Sequence, residues 1–168
     1  TSVGNSASFA IFAEKVIVEI NTSLSENFEG LHDIYIPTYR PTRTPLPLTQ
    51  VDDRIGSTAI PIDPAKIVGI VLNDTADSPS TVTPPDDETQ GIANHLIAFF
   101  EKEVAAGRLA KNLGPLQAGI GSIANAVLTG LKDSNFEDLV MYSEVLQDCT
   151  FELIDAGKMK FASGSSIT

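Results

Sequence analysis

The sequence predicts an α/β fold of parallel, doubly wound sheets, divided into two parts near residue 84. Three observations predict it. Short β-branched runs alternate with longer stretches of helical periodicity, ending in strand–helix–strand–helix–strand order. Residues 75–85 are poor in large apolar side chains and hold Pro79, Pro84 and Pro85, the composition of a linker. Hydrophobic residues make up 42% of the 168 and charged residues 20%, which suits a buried core and excludes a disordered chain.

Taken in order, residues 7–13 suit the end of a helix, and Val16-Ile17-Val18-Glu19-Ile20 a buried strand. Residues 21–64 contain Pro37, Pro41, Pro45, Pro47, Pro61 and Pro64, which forbids helix over most of that length. An irregular stretch this long is functional or lies against another part of the protein. Residues 66–72, Lys-Ile-Val-Gly-Ile-Val-Leu, form a second strand. After the linker, Asp87 and Gln90 have capping-box spacing. The helix they open places Ile92, Leu96, Phe99, Phe100 and Val104 on one side, and Gly107 ends it.

Leu116-Gln117 is a short extended piece leading into Ala118-Gly119-Ile120-Gly121. Ser122 caps a helix with apolar Ile123, Ala124, Val127, Leu128 and Leu131, and Asp133-Ser134-Asn135 makes the following turn. Residues 139–142 read as a strand with Glu144 just past its end. Residues 146–156 read as a helix stopped by Gly157, and Phe161 opens the next strand. In a parallel sheet the turns after the strands emerge on one edge, where ligands bind. Gly119, Gly121 and Glu144 are therefore expected on one rim. A sheet that stops at its third strand suggests a chain cut at both ends; the alternative is a small, complete α/β domain.

Composition narrows the chemistry. A formal charge of −11 repels nucleic acid and anionic lipid, so neither is expected as a partner, although helix-start N–H groups still accommodate an anionic ligand locally. No apolar run approaches the roughly 18 residues of a membrane span, and residues 1–9 lack a signal-peptide layout. With Cys149 alone no internal disulfide forms, and His32 and His95 add too little for a dense metal site. The expectation is a soluble intracellular protein without metal.

Glycines between a strand and a helix let the backbone approach a ligand and leave N–H groups free for a phosphate or a developing oxyanion. A tight turn with close helix–strand packing explains Gly119 and Gly121 equally well. The three-glycine dinucleotide fingerprint and the Walker lysine are both absent. Glu144 suits either a helix-start carboxylate or a nucleophile that forms an acyl intermediate, and Asp148 an ordinary first-turn acid. No Gly-x-Ser-x-Gly elbow exists. Cys149, inside a helix, reads as a buried inert thiol; His95 reads as a surface residue, and His32 beside Asp33 suits either the lining of a site or loop packing and a turn hydrogen bond. Residues 51–56, Val-Asp-Asp-Arg-Ile-Gly, read as a paired-charge turn without further role. An acidic interaction module using residues 37–64 as its contact surface is the non-enzymatic alternative.

These segments, in order, resemble the acetyl-CoA hydrolase/transferase family, which includes succinyl-CoA:acetate CoA-transferases of class I. The resemblance rests on residues 15–21, Gly30-Leu31-His32-Asp33-Ile34, Val51-Asp52-Asp53-Arg54-Ile55-Gly56, Gly107-Arg108-Leu109 and Asn112-Leu113. It continues in Leu116-Gln117-Ala118-Gly119-Ile120-Gly121, Ile123-Ala124-Asn125-Ala126-Val127 and Tyr142-Ser143-Glu144-Val145-Leu146-Gln147-Asp148, so it runs nearly the whole length.

The resemblance implies parts of two similar CoA-transferase domains of the NagB/RpiA-like kind. Residues 1–83 would be the later part of the first, with the proline-rich loop and linker. Residues 84–168 would open the second and carry the catalytic glutamate. It further implies Glu144 as the nucleophile and the backbone N–H of Ile120 as an oxyanion donor. Leu116, Gln117, Ala118, Gly119 and Ile120 would contact coenzyme A, which is substrate and product; no cofactor stays bound. Acyl-CoA and small carboxylic acids such as acetate and succinate are the implied partners, within a homodimer located in the cytoplasm, or in mitochondria in a eukaryote. The second oxyanion donor and much of the CoA pocket would come from later sequence, so this stretch alone is expected to be inactive.

Overall fold

Residues 5–36, 38, 41–76, 78 and 83–167 are described by the structure, a computed structural model, with side chains as far as Gly164. Pro37 of the proline-rich stretch and Pro79 of the expected linker lie outside them. The chain divides into two compact units, residues 1–49 with 53–78, and residues 50–52 with 79–168.

In the first unit, helix α1 (Ser6–Phe12) buries Ala7 and Ala10, and the Lys66 ammonium donates to the Ile11 carbonyl at 2.6 Å. The β-branched runs become strands β1 (Val16–Asn21) and β2 (Ile67–Asn73), paired in parallel from Ile17 opposite Gly69 to Asn21 opposite Asn73. Between them the chain is irregular apart from two short 3₁₀ turns, Glu26–Phe28 and Pro64–Lys66. An antiparallel bridge joins Ile34 to Ser57. Beside it Gly56 adopts φ +69°, and a side chain there would collide with the Ile34 carbonyl, so the crossing needs glycine.

The Arg54 guanidinium holds the rest of this loop. Its Nε donates to both Asp33 carboxylate oxygens at 2.7 and 2.8 Å, and its Nη2 to the Gly30 and His32 carbonyls at 2.8 and 3.4 Å. Residues 51–56 are thus more than the isolated charged turn expected from the sequence. They tie together a loop closed over more than twenty residues.

In the second unit, α2 (Asp87–Ala105) opens with a capping box one residue earlier than the sequence suggested. Asp86 accepts from the Thr89 N–H at 2.8 Å, and the Thr89 hydroxyl accepts from the Asp86 N–H at 2.9 Å. Pro84-Pro85 keeps the chain extended up to Asp86, and threonine fills the role expected of a longer Gln90 side chain. The face turned inward is Ala93, Ile97, Phe100 and Val104, while Ile92 and Phe99, expected to be buried, are exposed. Gly107, at φ +70°, ends the helix as the sequence indicated.

The remaining elements are β3 (Pro115–Leu116), α3 (Ser122–Lys132), β4 (Leu139–Leu146), α4 (Asp148–Asp155) and β5 (Met159–Ile167). They form a three-stranded parallel sheet in the order β3-β4-β5. Leu139 and Met141 of β4 pack with Leu128 and Leu131 of α3 and with Cys149 and Leu153 of α4 in one core, so both crossover helices cover the same face. On the opposite face Tyr142 and Glu144 are exposed. Among the described residues no helix is long and apolar enough to cross a membrane.

Candidate functional site

The carboxyl edge of β3 and β4 gathers the residues with chemical potential. Pro115 lies opposite Val140 and Leu116 opposite Met141, an offset of 25 residues that also separates the hydrogen-bonded pair Ala118 and Ser143. The Ala118–Ser143 bond brings the loop after β3 alongside β4 one residue before Glu144. Alternation along β4 turns Ser143 inward with Met141, and Glu144 outward with Tyr142.

Glu144 therefore stands inside a strand, not past its end as the sequence reading had it. The strand continues because Ser143, Val145 and Leu146 pair with Gly164, Ser166 and Ile167 of β5. That neighbour supplies the ladder that the local run Tyr-Ser-Glu does not advertise. Helix α4 accordingly begins at Asp148 rather than Leu146, and Asp148, not Glu144, occupies its first turn. The Glu144 side chain is exposed, and among the described residues it has neither a hydrogen bond nor an ion pair.

The loop after β3 is held by side chains from β4 and its end. The Ser143 hydroxyl, nearly buried, donates to the Ala118 carbonyl at 3.0 Å. The Gln147 amide, 1% exposed, donates from Nε2 to the Gly119 carbonyl at 3.0 Å. Ile120 projects outward at 70% exposure, and its backbone N–H has no hydrogen-bond acceptor among the described residues. Gly121, at φ +146°, precedes α3 as its N-cap. Ser122, expected to cap, is instead the first helical residue, so no side chain covers the N–H groups at this helix start.

Leu116, Gln117, Ala118, Gly119 and Ile120 form one wall of a cleft of about 550 Å³ whose other walls are apolar side chains of α2 and α3, among them Leu96, Phe100 and Val127. Glu144 does not line this cleft; it stands on the neighbouring strand. The edge thus combines an unpaired carboxylate, undirected peptide N–H groups and an apolar recess. That set suits attack on a carbonyl whose oxygen gathers negative charge.

Other candidates have ordinary roles. Cys149 is buried, and burial pushes its thiol up to about 11, which removes the thiolate needed of a nucleophile. The His95 ring Nδ1 lies 2.8 Å from the Gly91 carbonyl on the surface of α2. His32 is half-buried, its carbonyl held by Arg54. Among the described residues no cluster of His, Cys, Asp and Glu is arranged to hold a metal. Sequence reasoning missed Ser143 and Gln147 as site residues, because a helix starting at Leu146 turns Gln147 into one more helical position. The only local signal was polarity at positions that strand alternation buries.

No family model matches the chain. Among curated proteins it is 49% identical over 166 residues to an acetyl-CoA hydrolase of Neurospora crassa, covering 99% of this chain and 31% of that protein. Acetyl-CoA hydrolases of Candida albicans and Schizosaccharomyces pombe are 48% and 49% identical, covering 99% and 98% of the chain and 32% of each protein. The chain spans about a third of the length of these relatives. Among solved structures, RipA from Yersinia pestis matches with a TM-score of 0.58 at 21% identity, over 99% of this chain and 36% of that one. A 4-hydroxybutyrate CoA-transferase from Porphyromonas gingivalis matches with a TM-score of 0.50 at 21% identity, over 94% of this chain and 30% of that one. These two likenesses concern the fold, mixed α/β with parallel sheets.

Proposed function

We propose, from the premise that this chain belongs to the acetyl-CoA hydrolase/transferase family, that the complete protein moves CoA between an acyl-CoA and a carboxylate through Glu144. A Glu144 carboxylate oxygen attacks the thioester carbonyl, the carbon–sulfur bond breaks, and CoA leaves as thiolate with an acyl-glutamyl anhydride behind it. The thiolate then attacks the glutamyl carbonyl of the anhydride, forming a glutamyl-CoA thioester and expelling the first carboxylate. A second carboxylate, acetate or succinate, reverses the sequence and departs as the new acyl-CoA. Each addition gathers charge on a carbonyl oxygen, which the Ile120 N–H is free to stabilise. No metal takes part. Residues 116–120 contact CoA, the assembly is a homodimer, and the compartment is the cytoplasm, or mitochondria in a eukaryote.

One observation carries this reading: an unpartnered carboxylate follows directly on Ser143, whose hydroxyl holds the Ala118 carbonyl two residues before an N–H that nothing else uses. Replacing Glu144 by Ala in the complete protein is expected to lower acetate-dependent CoA exchange by at least about 10³-fold, with circular dichroism unchanged. Exchange at the wild-type rate would remove Glu144 from the mechanism. Hydrolysis is the second reading, favoured by the activity named for the 49% identical Neurospora crassa relative. It differs only in letting water resolve the intermediate, so comparing turnover with and without acetate separates the two. This chain by itself is expected to turn over neither substrate.

A further inference from the structure

We infer that Gln147 is a positioning residue for this reaction: it aims the Ile120 N–H by gripping the other end of the same peptide. The inference rests on the reading of Glu144 and Ile120 above and adds the device that sets their geometry. The Gly119 carbonyl and the Ile120 N–H belong to one planar trans peptide unit and point in opposite directions. Gln147 Nε2 donates to that carbonyl at 3.0 Å, so it fixes the direction of the N–H on the far side. A hydrogen bond to the carbonyl also polarises the peptide and strengthens its N–H as a donor.

Three further observations separate this role from plain packing. Gln147 occupies the N-cap position of α4, yet its side chain makes no capping hydrogen bond; it turns to the loop instead. It is 1% exposed, and its Oε1 is buried without a partner, so methionine would fill the space with less desolvation. Finally, Ser143 treats the preceding peptide in the same way, donating to the Ala118 carbonyl at 3.0 Å. Two consecutive loop peptides are therefore oriented by side chains that bracket Glu144, one residue before it and three after. The carboxylate and the donor share one rigid frame.

The test uses the complete protein with Gln147→Met, which keeps the length without the donor, and Gln147→Asn, which keeps the amide but falls short of Gly119. Each is expected to lower kcat for CoA exchange by about 10- to 100-fold, since small misplacement of a reacting group costs that much. KM for acyl-CoA should stay within about twofold, and Gln147→Met should melt at or above the wild-type temperature. A second measurement follows the infrared carbonyl stretch of ¹³C-labelled acetyl-CoA bound to a Glu144→Gln protein. Its shift to lower frequency should largely vanish when Gln147→Met is added.

Wild-type kcat in a well-folded Gln147→Met protein overturns the inference, and an unchanged infrared shift does so independently. Loss of the fold in both variants assigns Gln147 to the scaffold and overturns it equally. Glu144→Ala, run in parallel, tells the two failures apart. If it is inactive while Gln147→Met is normal, only the positioning role falls. If Glu144→Ala retains exchange, the reading beneath it falls.

Discussion

The two units share a motif, parallel strands with a long crossover, and treat it differently. In the first, β1 and β2 leave apolar residues open along much of their length: Ile17 is 66% exposed, Ile70 63% and Leu72 73%. In the second, Leu139, Met141 and Leu153 are wholly buried between the sheet and its helices. Parallel sheets are stable when both faces are covered. The same Val/Ile-rich sequence signal therefore has different energetic worth in the two places. Strand-forming residues specify direction and pairing; the helices that return across the sheet supply the burial. The candidate site sits in the unit where that burial exists, which holds its loop against a fixed frame.

The sharpest way to break this comparison is a matched pair of truncations. Leu153→Ala, in the core of the second unit, is expected to destabilise by about 2–5 kcal/mol in urea unfolding. Ile70→Ala, in the exposed strand, should stay within about 0.5 kcal/mol. Equal effects would mean that the strands of the first unit are buried in solution. Gly56→Ala sharpens the contrast, because the first unit depends on a backbone crossing rather than a core. It should cost about 1–3 kcal/mol and speed amide exchange at Ile34 and Ser57, leaving α3 and β4 unaffected.

The smallest effect is expected at Asp86. Hydrogen bonds from Thr89, first its backbone N–H and then its hydroxyl, hold this carboxyl below the ordinary range. A lowered folded-state value means that the stabilisation is present above the unfolded pKa and fades as pH falls below about 4. Protection of the first-turn amides of α2, taken relative to intrinsic exchange at each pH, should fall over that window, and Asp86→Ala should show the lower protection above it.

Much of the fold was legible because its signals are local. β-branched runs marked β1 and β2 within a residue at either end. Gly107 and Gly157 marked helix ends through the positive φ that only glycine adopts easily. The misplacements have a common origin in distant partners. Strand β4 outran its apolar run because β5 offered pairing partners as far as Leu146, and that moved Glu144 into a strand. Ile92 and Phe99 fit a helical stripe as well as the residues actually buried, and only the packing of α2 on its neighbours chose Ala93 and Ile97. In the site, the glycines of residues 119–121 and the carboxylate at 144 stood out as residue types. Gln147 did not, since its burial depends on a carbonyl 28 residues away.

Strand β3 is only two residues long, and its sheet pairing ends at Leu116. Past that point no ladder dictates the angle of the chain, and the hold on it passes to Ser143 and Gln147. Loop angle and scaffold strength are thereby separable traits here. Exchanging one or two side chains can reset the angle of the Gly119–Ile120 peptide while the β4–β5 ladder, and the folding that depends on it, stay as they were.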